Sequence, residues 1–328
     1  HGTGPDDAQQ AAVRATQEAT TGQTGPFPGW LQPQTLRALA AMGIAAPYTH
    51  QLRAWECAAA GRHTVIATPT ASGKTLCYNV PVADAITASP GTTALYLFPT
   101  KALARDQEAG IRKLLALAGL DAKAAVYDGD TAAGARRAIR QQAAIVITNP
   151  DMLHTGILPH HTDWARFFAG LRFIVVDELH HYRGVFGSHV ANVLRRLQRI
   201  CAFYGAHPSS IACSATIGNP GELGTRVLGG PVDIIEDSGA PTGRRDFLLL
   251  NPPVVDPVMG VRRSAMKAAS RIAADLVVRG ITTLVFCQTR RGVEIVLHYL
   301  KDKVSSRGGN PDRIRGYRGG YLPELRRE

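Results

Sequence analysis

Acidic residues are scarce in this chain. Its 328 residues carry 26 Asp and Glu against 37 Lys and Arg, a formal net charge of +11. The isoelectric point is about 9.7. This balance points to a polyanionic partner such as nucleic acid, although arginines on a solvated surface give the same total. Paired cysteines are also missing. Cys57, Cys77, Cys201, Cys213 and Cys287 are scattered, with no C-x-x-C pair. That argues against a zinc site or a disulfide framework, and no zinc is expected in this chain. The five read as buried reduced thiols. No apolar run approaches the ~20 residues of a membrane helix, so no membrane partner is expected. No secretory signal pattern is read at the start. Large apolar side chains are rare in residues 1–29, which read as a disordered segment with room for a short helix near "DDAQQAAVRATQEA".

The rest of the chain has the material of a core, with 45% hydrophobic residues. From Trp30 the pattern turns helical, and "LQPQTLRALAAMG" ends at Gly43, a plausible helix stop. Short β-rich runs follow at 64–67, 94–98, 124–127, 144–148, 173–177 and 210–214, each succeeded by a turn and a helical pattern. Several are apolar throughout, as strands buried on both faces are. The class is α/β, a parallel sheet with right-handed crossovers, and ligands on such sheets bind at the C-terminal strand ends. Residues 30–238 form this first domain. Residues 239–262 are rich in Pro and Gly, contain one short strand, "DFLLL", and read as a linker. Residues 263–328 begin a second α/β pattern: a helix, a strand at 283–287 and a helix.

Polar motifs follow the strands. "TPTASGKT" (68–75) lies between a strand and a helix. Backbone N–H groups of Ala71, Ser72 and Gly73 and the helix N-terminus suit phosphates. Lys74 would reach the β- and γ-phosphates, and Thr75 would hold Mg²⁺. A bare G-K-T triplet is common, and the plain alternative is an ordinary strand-to-helix turn. Thr68 and Ala71 are misfits, because the usual pattern opens on glycine. The loop is expected to hold Ala71 at ordinary negative φ. "FIVVDELHHY" ends a buried strand in two carboxylates. Asp177 is placed to hold Mg²⁺, and Glu178 to orient and deprotonate water. "CSAT" supplies Ser214 and Thr216 at a further strand end. Gln51, upstream, has an amide that can pair with an adenine edge. A helix-surface Gln is its plain alternative.

Taken in order, these pieces resemble the superfamily two helicases of the DExH type. "TPTASGKT" is similar to motif I, with Thr70, Gly73, Lys74 and Thr75 matching and Thr68 and Ala71 departing. "DELH", "SAT", "FPTKALARDQ", "TNPDMLH" and "LVFCQTRRGVEI" resemble motifs II, III, Ia, Ib and IV. The resemblance narrows to the RecQ-related Hrq/Mrf-type DNA helicases through "VYDGDT", "DELHHYRGVFGSHVANVLRR" and "YRGGYLPELRRE". It covers about Tyr48 to Glu328. It implies two RecA-like lobes, ATP and Mg²⁺ between them, single-stranded or forked DNA across both, and 3′-to-5′ unwinding in DNA repair. It also implies that His180 couples hydrolysis to the second lobe, with Ser214 and Thr216. Pro99, Thr100, Lys101, Arg105, Asn149, Pro150, Asp151, Thr289 and Arg290 would lie along nucleic acid, which suits short polar and cationic groups after strands. Arg195–Arg196 read instead as a solvated face opposite an apolar stripe. The expected location is cytoplasmic, at the nucleoid.

The chain opens on His1 rather than Met and stops at "YLPELRRE", which reads as a helix just beginning, so both ends are expected to be cut. Motifs V and VI, and the arginine finger of motif VI, are not found in the 328 residues. A finger is worth about 10³–10⁵ in rate. This chain is therefore expected to bind Mg-ATP yet turn it over slowly. Three other readings stand beside the DNA helicase. They are an RNA helicase of similar build, a non-catalytic module with ATP as a structural ligand, and a small-molecule P-loop kinase. "SAT" and "FPTKALA" disfavour the last.

Overall fold

A computed structural model describes residues 11–318 of the chain. Residues 1–10, and the closing "YLPELRRE" expected to start a helix, lie outside the described residues. In chain order the first elements are β1 (Ala11–Gln17), α1 (Pro33–Ala41), α2 (Thr49–Ala59), β2 (Thr64–Ile66) and α3 (Lys74–Ala88). Next come β3 (Thr93–Leu97), α4 (Lys101–Leu117), β4 (Lys123–Val126), α5 (Ala133–Gln142) and β5 (Ala143–Thr148). A short helix α6 (Pro150–Met152) runs on through irregular turns to α7 (Ala165–Ala169). Then follow β6 (Leu171–Val176), α8 (Gly184–Phe203), β7 (Ser209–Cys213), α9 (Pro220–Leu228) and β8 (Asp233–Ile235). The remainder is β9 (Arg245–Leu250), β10 (Val254–Asp256), β11 (Val261–Arg262), α10 (Ala265–Val278) and α11 (Arg290–Ser305).

The described residues divide into two compact units, Ala19–Gly243 and a second built from residues 11–18 with 244–318. The first holds a seven-stranded sheet in the order β4-β5-β3-β6-β7-β2-β8. Its strand pairs are parallel. All six strands expected in this region are present. Period-two alternation splits each central strand between two cores. On β6, Phe173 and Val175 face one side, packed with Ala54, Tyr78 and Ile111 from α2, α3 and α4. Ile174 and Val176 face the other, packed with Phe168, Leu194 and Val227 from α7, α8 and α9. Helices therefore cover both faces, and the strand ends are left open to a ligand. Along α8, Val190, Leu194 and Leu197 are buried while Arg195 is exposed and Arg196 half-buried, so the apolar stripe falls where the spacing puts it.

The second unit departs from expectation in three places. The N-terminal run, read as disordered with room for a helix, forms strand β1, antiparallel to β9. The partner lies some 230 residues away: Thr16 donates to the Asp246 carboxylate at 2.6 Å. Local composition carries no sign of a partner that distant. The linker holds three strands rather than one, β10 and β11 pairing antiparallel. The strand expected at 283–287 is not formed, and Leu284 and Phe286 are 78% and 88% exposed. A buried parallel strand needs ladder partners on its edges, and no described strand lies beside this run. The flanking helices form as expected, packing Ala273 and Ala274 of α10 against Leu300 and Val304 of α11.

Candidate active site

Because the sheet of the first unit is parallel, everything that follows a strand emerges on one edge. The loop after β2 leads into α3, and Asp177 follows β6. Ser214 follows β7, Pro99 follows β3, and Asn149 follows β5. The phosphate-loop candidate is tightly wound. Gly73, at the N-cap of α3, has φ 82°, and Ala71 has φ 64°. The expectation of negative φ at Ala71 is therefore wrong. The turn demands a left-handed residue where motif I has glycine, and alanine meets it with the smallest possible Cβ, exposed to solvent. Left-handed steps at 71 and 73 are the backbone form that presents successive N–H groups to an anion.

Several groups brace this loop. The Thr68 and Ser72 hydroxyls share a buried hydrogen bond of 2.7 Å, so the threonine in the first glycine's place is a strut. The Lys74 ammonium donates to the carbonyls of Thr68 and Pro69, at 2.8 and 2.9 Å. Gln51 is buried, and both ends of its amide are engaged. Its Oε1 accepts from the Tyr48 N–H, and its Nε2 donates to the Gly73 carbonyl at 3.1 Å. An adenine contact would require exchanging one of these bonds. A Cβ on Gly73 would come within 2.8 Å of that Gln51 nitrogen. Trp55, one turn on, donates its indole N–H to the Leu76 carbonyl at 2.9 Å.

The two carboxylates have separate environments. Asp177 is mostly shielded from water. Burial pushes its pKa up to about 6, with the Glu178 charge adding, against the Glu178 N–H, the Tyr78 phenol and the Lys74 ammonium. The Glu178 N–H donates to Asp177 Oδ1 at 2.8 Å, and Tyr78 lies 3.3 Å from Oδ2. Glu178 itself is left-handed, with φ 53°. The two non-glycine residues with positive φ among those described are thus Ala71 and Glu178, both at this site. His180 Nδ1 lies 3.3 Å from Glu178 Oε2, 3.4 Å from the Ala215 N–H and 3.5 Å from the Ser214 hydroxyl. Protonated, that nitrogen can donate to the carboxylate; bare, it can accept from the 214–215 turn. One atom therefore faces a choice between two strand ends. Burial lowers the His180 pKa, partly offset by Glu178. Thr216 lines a cleft of about 360 Å³ with His180, Arg183 and Ala215.

The remaining candidates are placed by helix starts. Thr100 caps α4, accepting the Leu103 N–H at 3.4 Å, and Asn149 caps α6, accepting the Met152 N–H at 2.8 Å. Pro150 is buried, while Asp151 and Arg105 are exposed. Lys101 pairs with Asp130 at 2.8 Å, and Arg105 lies 3.9 Å from the same carboxylate. In the second unit Thr289 caps α11 through the Gly292 N–H at 3.0 Å, with Arg290 exposed beside it. Two residues that contact these candidates, Tyr78 beside Asp177 and Asp130 beside Lys101, were not read from the sequence. Tyr78 stands one helical turn after Lys74, and Asp130 lies within "VYDGDT", so spacing held a signal for both.

Comparison with known proteins gives this geometry a family. The pattern of the DEAD/DEAH box helicase family matches residues 48–223, more than half of the chain. YprA of Bacillus subtilis, named as an uncharacterized ATP-dependent helicase, is 49% identical over 95% of this chain. ATP-dependent helicase HRQ1 of Saccharomyces cerevisiae is 37% identical over 86%. The crystal structure of DUF1998 helicase MrfA bound to DNA superposes with a TM-score of 0.94 at 46% identity, over 98% of this chain. A second MrfA structure, bound to DNA and AMPPNP, superposes with a TM-score of 0.93. The chain spans 41% of YprA, 27% of HRQ1 and 43% of the DNA-bound MrfA chain. The fold is RecA-like, and the chain belongs to the DEAD/DEAH box helicase family, in its Hrq/Mrf type.

Proposed function

We propose that this chain is the ATP-binding portion of a DNA helicase or translocase acting in DNA repair, in the cytoplasm at the nucleoid. The observation that carries the reading is the convergence of three features on one sheet edge. They are a doubly left-handed G-K-T loop, a strained Asp177–Glu178 pair, and a histidine contacting both Glu178 and the 214–215 turn. ATP fits the loop. Its N–H groups and the α3 N-terminus offer anion contacts, and the Lys74 ammonium is held by carbonyls that a phosphate can replace. Magnesium fits the hard oxygens of Thr75 and Asp177. A carboxylate whose pKa is raised by burial gains most from a nearby cation. When bound there, the cation neutralises charge on the phosphate oxygens.

The chain's own groups divide the remaining work. Lys74 and the loop N–H groups orient the triphosphate. Glu178, aimed by its left-handed backbone, takes the proton of the attacking water. His180 then reads the state of Glu178 to Ser214 and Thr216. Pro99, Thr100, Lys101, Arg105, Asn149, Pro150 and Asp151 on the first unit, with Thr289 and Arg290 on the second, contact a nucleic-acid backbone. The second unit, in this reading, begins a second RecA-like lobe. The DNA and AMPPNP found in the MrfA structures support the choice of ligands. The test is nucleotide binding and single-turnover hydrolysis with single-stranded DNA, forked DNA and RNA. Glu178→Gln is expected to bind ATP normally and to lose about 10²–10⁴ of its hydrolysis rate. Lys74→Ala is expected to lose binding itself. ATP binding by wild type and Glu178→Gln alike, with no hydrolysis above background in either, would leave only a passive ATP-binding module. RNA outcompeting DNA would move the chain to the RNA helicases.

A further inference from the structure

His50 holds a buried nitrogen that the site described above does not use. It opens the first turn of α2, next to Gln51, and is fully buried. Its Nδ1 accepts the Gly239 N–H at 3.2 Å. An accepting Nδ1 places the proton of a neutral ring on Nε2. That Nε2 has no hydrogen-bond partner. Buried donors are rarely left unpaired in folded proteins, so an orphan at a ligand site points to a partner that arrives in another state. Burial and the Lys74 charge both favour the neutral ring, while the backbone of Ser72 acts the other way and favours a proton. A backbone group with that effect is a carbonyl acceptor, here that of Ser72.

The Ser72 carbonyl is the acceptor these observations point to for His50 Nε2. Ser72 lies between the left-handed Ala71 and Gly73, and its hydroxyl is tied to Thr68. Small rotations of the flanking peptides therefore turn its carbonyl without displacing its side chain. Lys74 is now bound to the Thr68 and Pro69 carbonyls. Drawing Lys74 onto a phosphate would release those carbonyls and let the loop reset. On the other side of the ring, Gly239 is wedged between neighbours. Its carbonyl accepts the Gln23 N–H at 2.8 Å, and any Cβ there would strike Thr49 and Gln23. Gly239 is four residues before Gly243, where the first unit ends.

We propose that His50 is a positioning residue for the phosphate loop. Its Nε2–H donates to the Ser72 carbonyl when the loop closes on a triphosphate, and its Nδ1 ties that closure to Gly239 on the segment leaving the unit. This rests on the nucleotide reading above. Two isosteric variants separate the two ends of the ring. An asparagine amide reaches the Nδ1 position, and a glutamine amide reaches the Nε2 position. Binding of a fluorescent ATP analogue with Mg²⁺ and thermal unfolding would be measured on the 328-residue chain. His50→Asn is expected to bind nucleotide about tenfold more weakly, the scale of one hydrogen bond, with its unfolding temperature unchanged. His50→Gln is expected to keep affinity within about twofold while unfolding at a lower temperature. Wild-type affinity in His50→Asn would overturn the proposal. So would parallel losses of affinity and stability in both variants, which would mark a purely structural histidine. Lys74→Ala is the control: if it too binds like wild type, the nucleotide reading fails and this proposal fails with it.

Discussion

Two apolar runs of similar composition meet opposite fates in this chain. "FIVVD" at 173–177 supplies most of β6, flanked by β3 and β7, with Phe173 only 1% exposed. "TLVFC" at 283–287 forms no strand, and Phe286 is 88% exposed. Side-chain preference is nearly the same in both, so the difference lies in the surroundings. A strand buried on both faces exists only when two neighbours complete its ladder and two helical layers cover its faces. The first unit provides all four, and the described residues of the second provide none of the ladder.

The largest expected effect tests that contrast directly. Phe173→Ala should destabilise the protein by about 3–5 kcal/mol, because it opens a cavity among residues that cannot collapse into it. Phe286→Ala, the same chemical change, should stay within about 0.5 kcal/mol of wild type, as exposed substitutions do. Denaturant unfolding of both variants measures this. A cost at Phe286 matching that at Phe173 would mean that the run is packed in solution and that the contrast is false.

The same contrast explains what was legible in the sequence. Six strands of the first unit could be read because each carries its own apolar signature and alternates with a helix that covers it. The order of motifs then placed Lys74, Asp177, Glu178 and Ser214 on one edge by topology alone. Strand β1 could not be read, because "AAVRATQ" is weakly apolar and its ladder partner is far away in sequence. Ala71 was misread for a subtler reason. Residue identity argued for negative φ, while the loop's path fixed a left-handed step that the motif's missing glycine had already marked. Gln51 was open to a similar error. Its spacing shows a helix, but only the packed structure shows that its amide turns inward to Gly73 and Tyr48.

A smaller effect belongs to the first unit and depends on pH. His63 in the first unit is half-buried, its Nδ1 accepting the Ser210 N–H at 3.0 Å, and burial lowers its pKa. Above about pH 6.5 the imidazole is neutral in both folded and unfolded chains, and the stability tied to it is fully present. As pH falls below 6.5 the unfolded chain takes up a proton that the folded one resists, so stability declines toward the depressed folded pKa. The slope for one proton cannot exceed about 1.4 kcal/mol per pH unit, and partial solvent screening should hold it well below that. His63→Asn keeps an acceptor without a titration, so its stability between pH 7 and 5 should fall less steeply than wild type. Equal slopes in wild type and His63→Asn would show that acid sensitivity arises elsewhere.

Backbone strain follows the same division, and it yields the smallest effect. In the second unit the described left-handed residues are glycines: Gly260, Gly280 and Gly308. The first unit alone forces side-chain-bearing residues into that region, and it does so at Ala71 and Glu178. A well-packed sheet can hold two such residues because its framework over-determines the loops at its edge. An alanine in this region costs roughly 1–2 kcal/mol, and the greater freedom of glycine in the unfolded chain offsets part of the gain from replacing it. Ala71→Gly should therefore stabilise the nucleotide-free protein by about 0.5 kcal/mol, a rise of about 1–2 °C in unfolding temperature. Nucleotide affinity should hold or improve, because the loop then reaches its anion-binding form without strain. A fall in stability would mean that the alanine relaxes to negative φ in solution, and the strain would then belong to Glu178 alone.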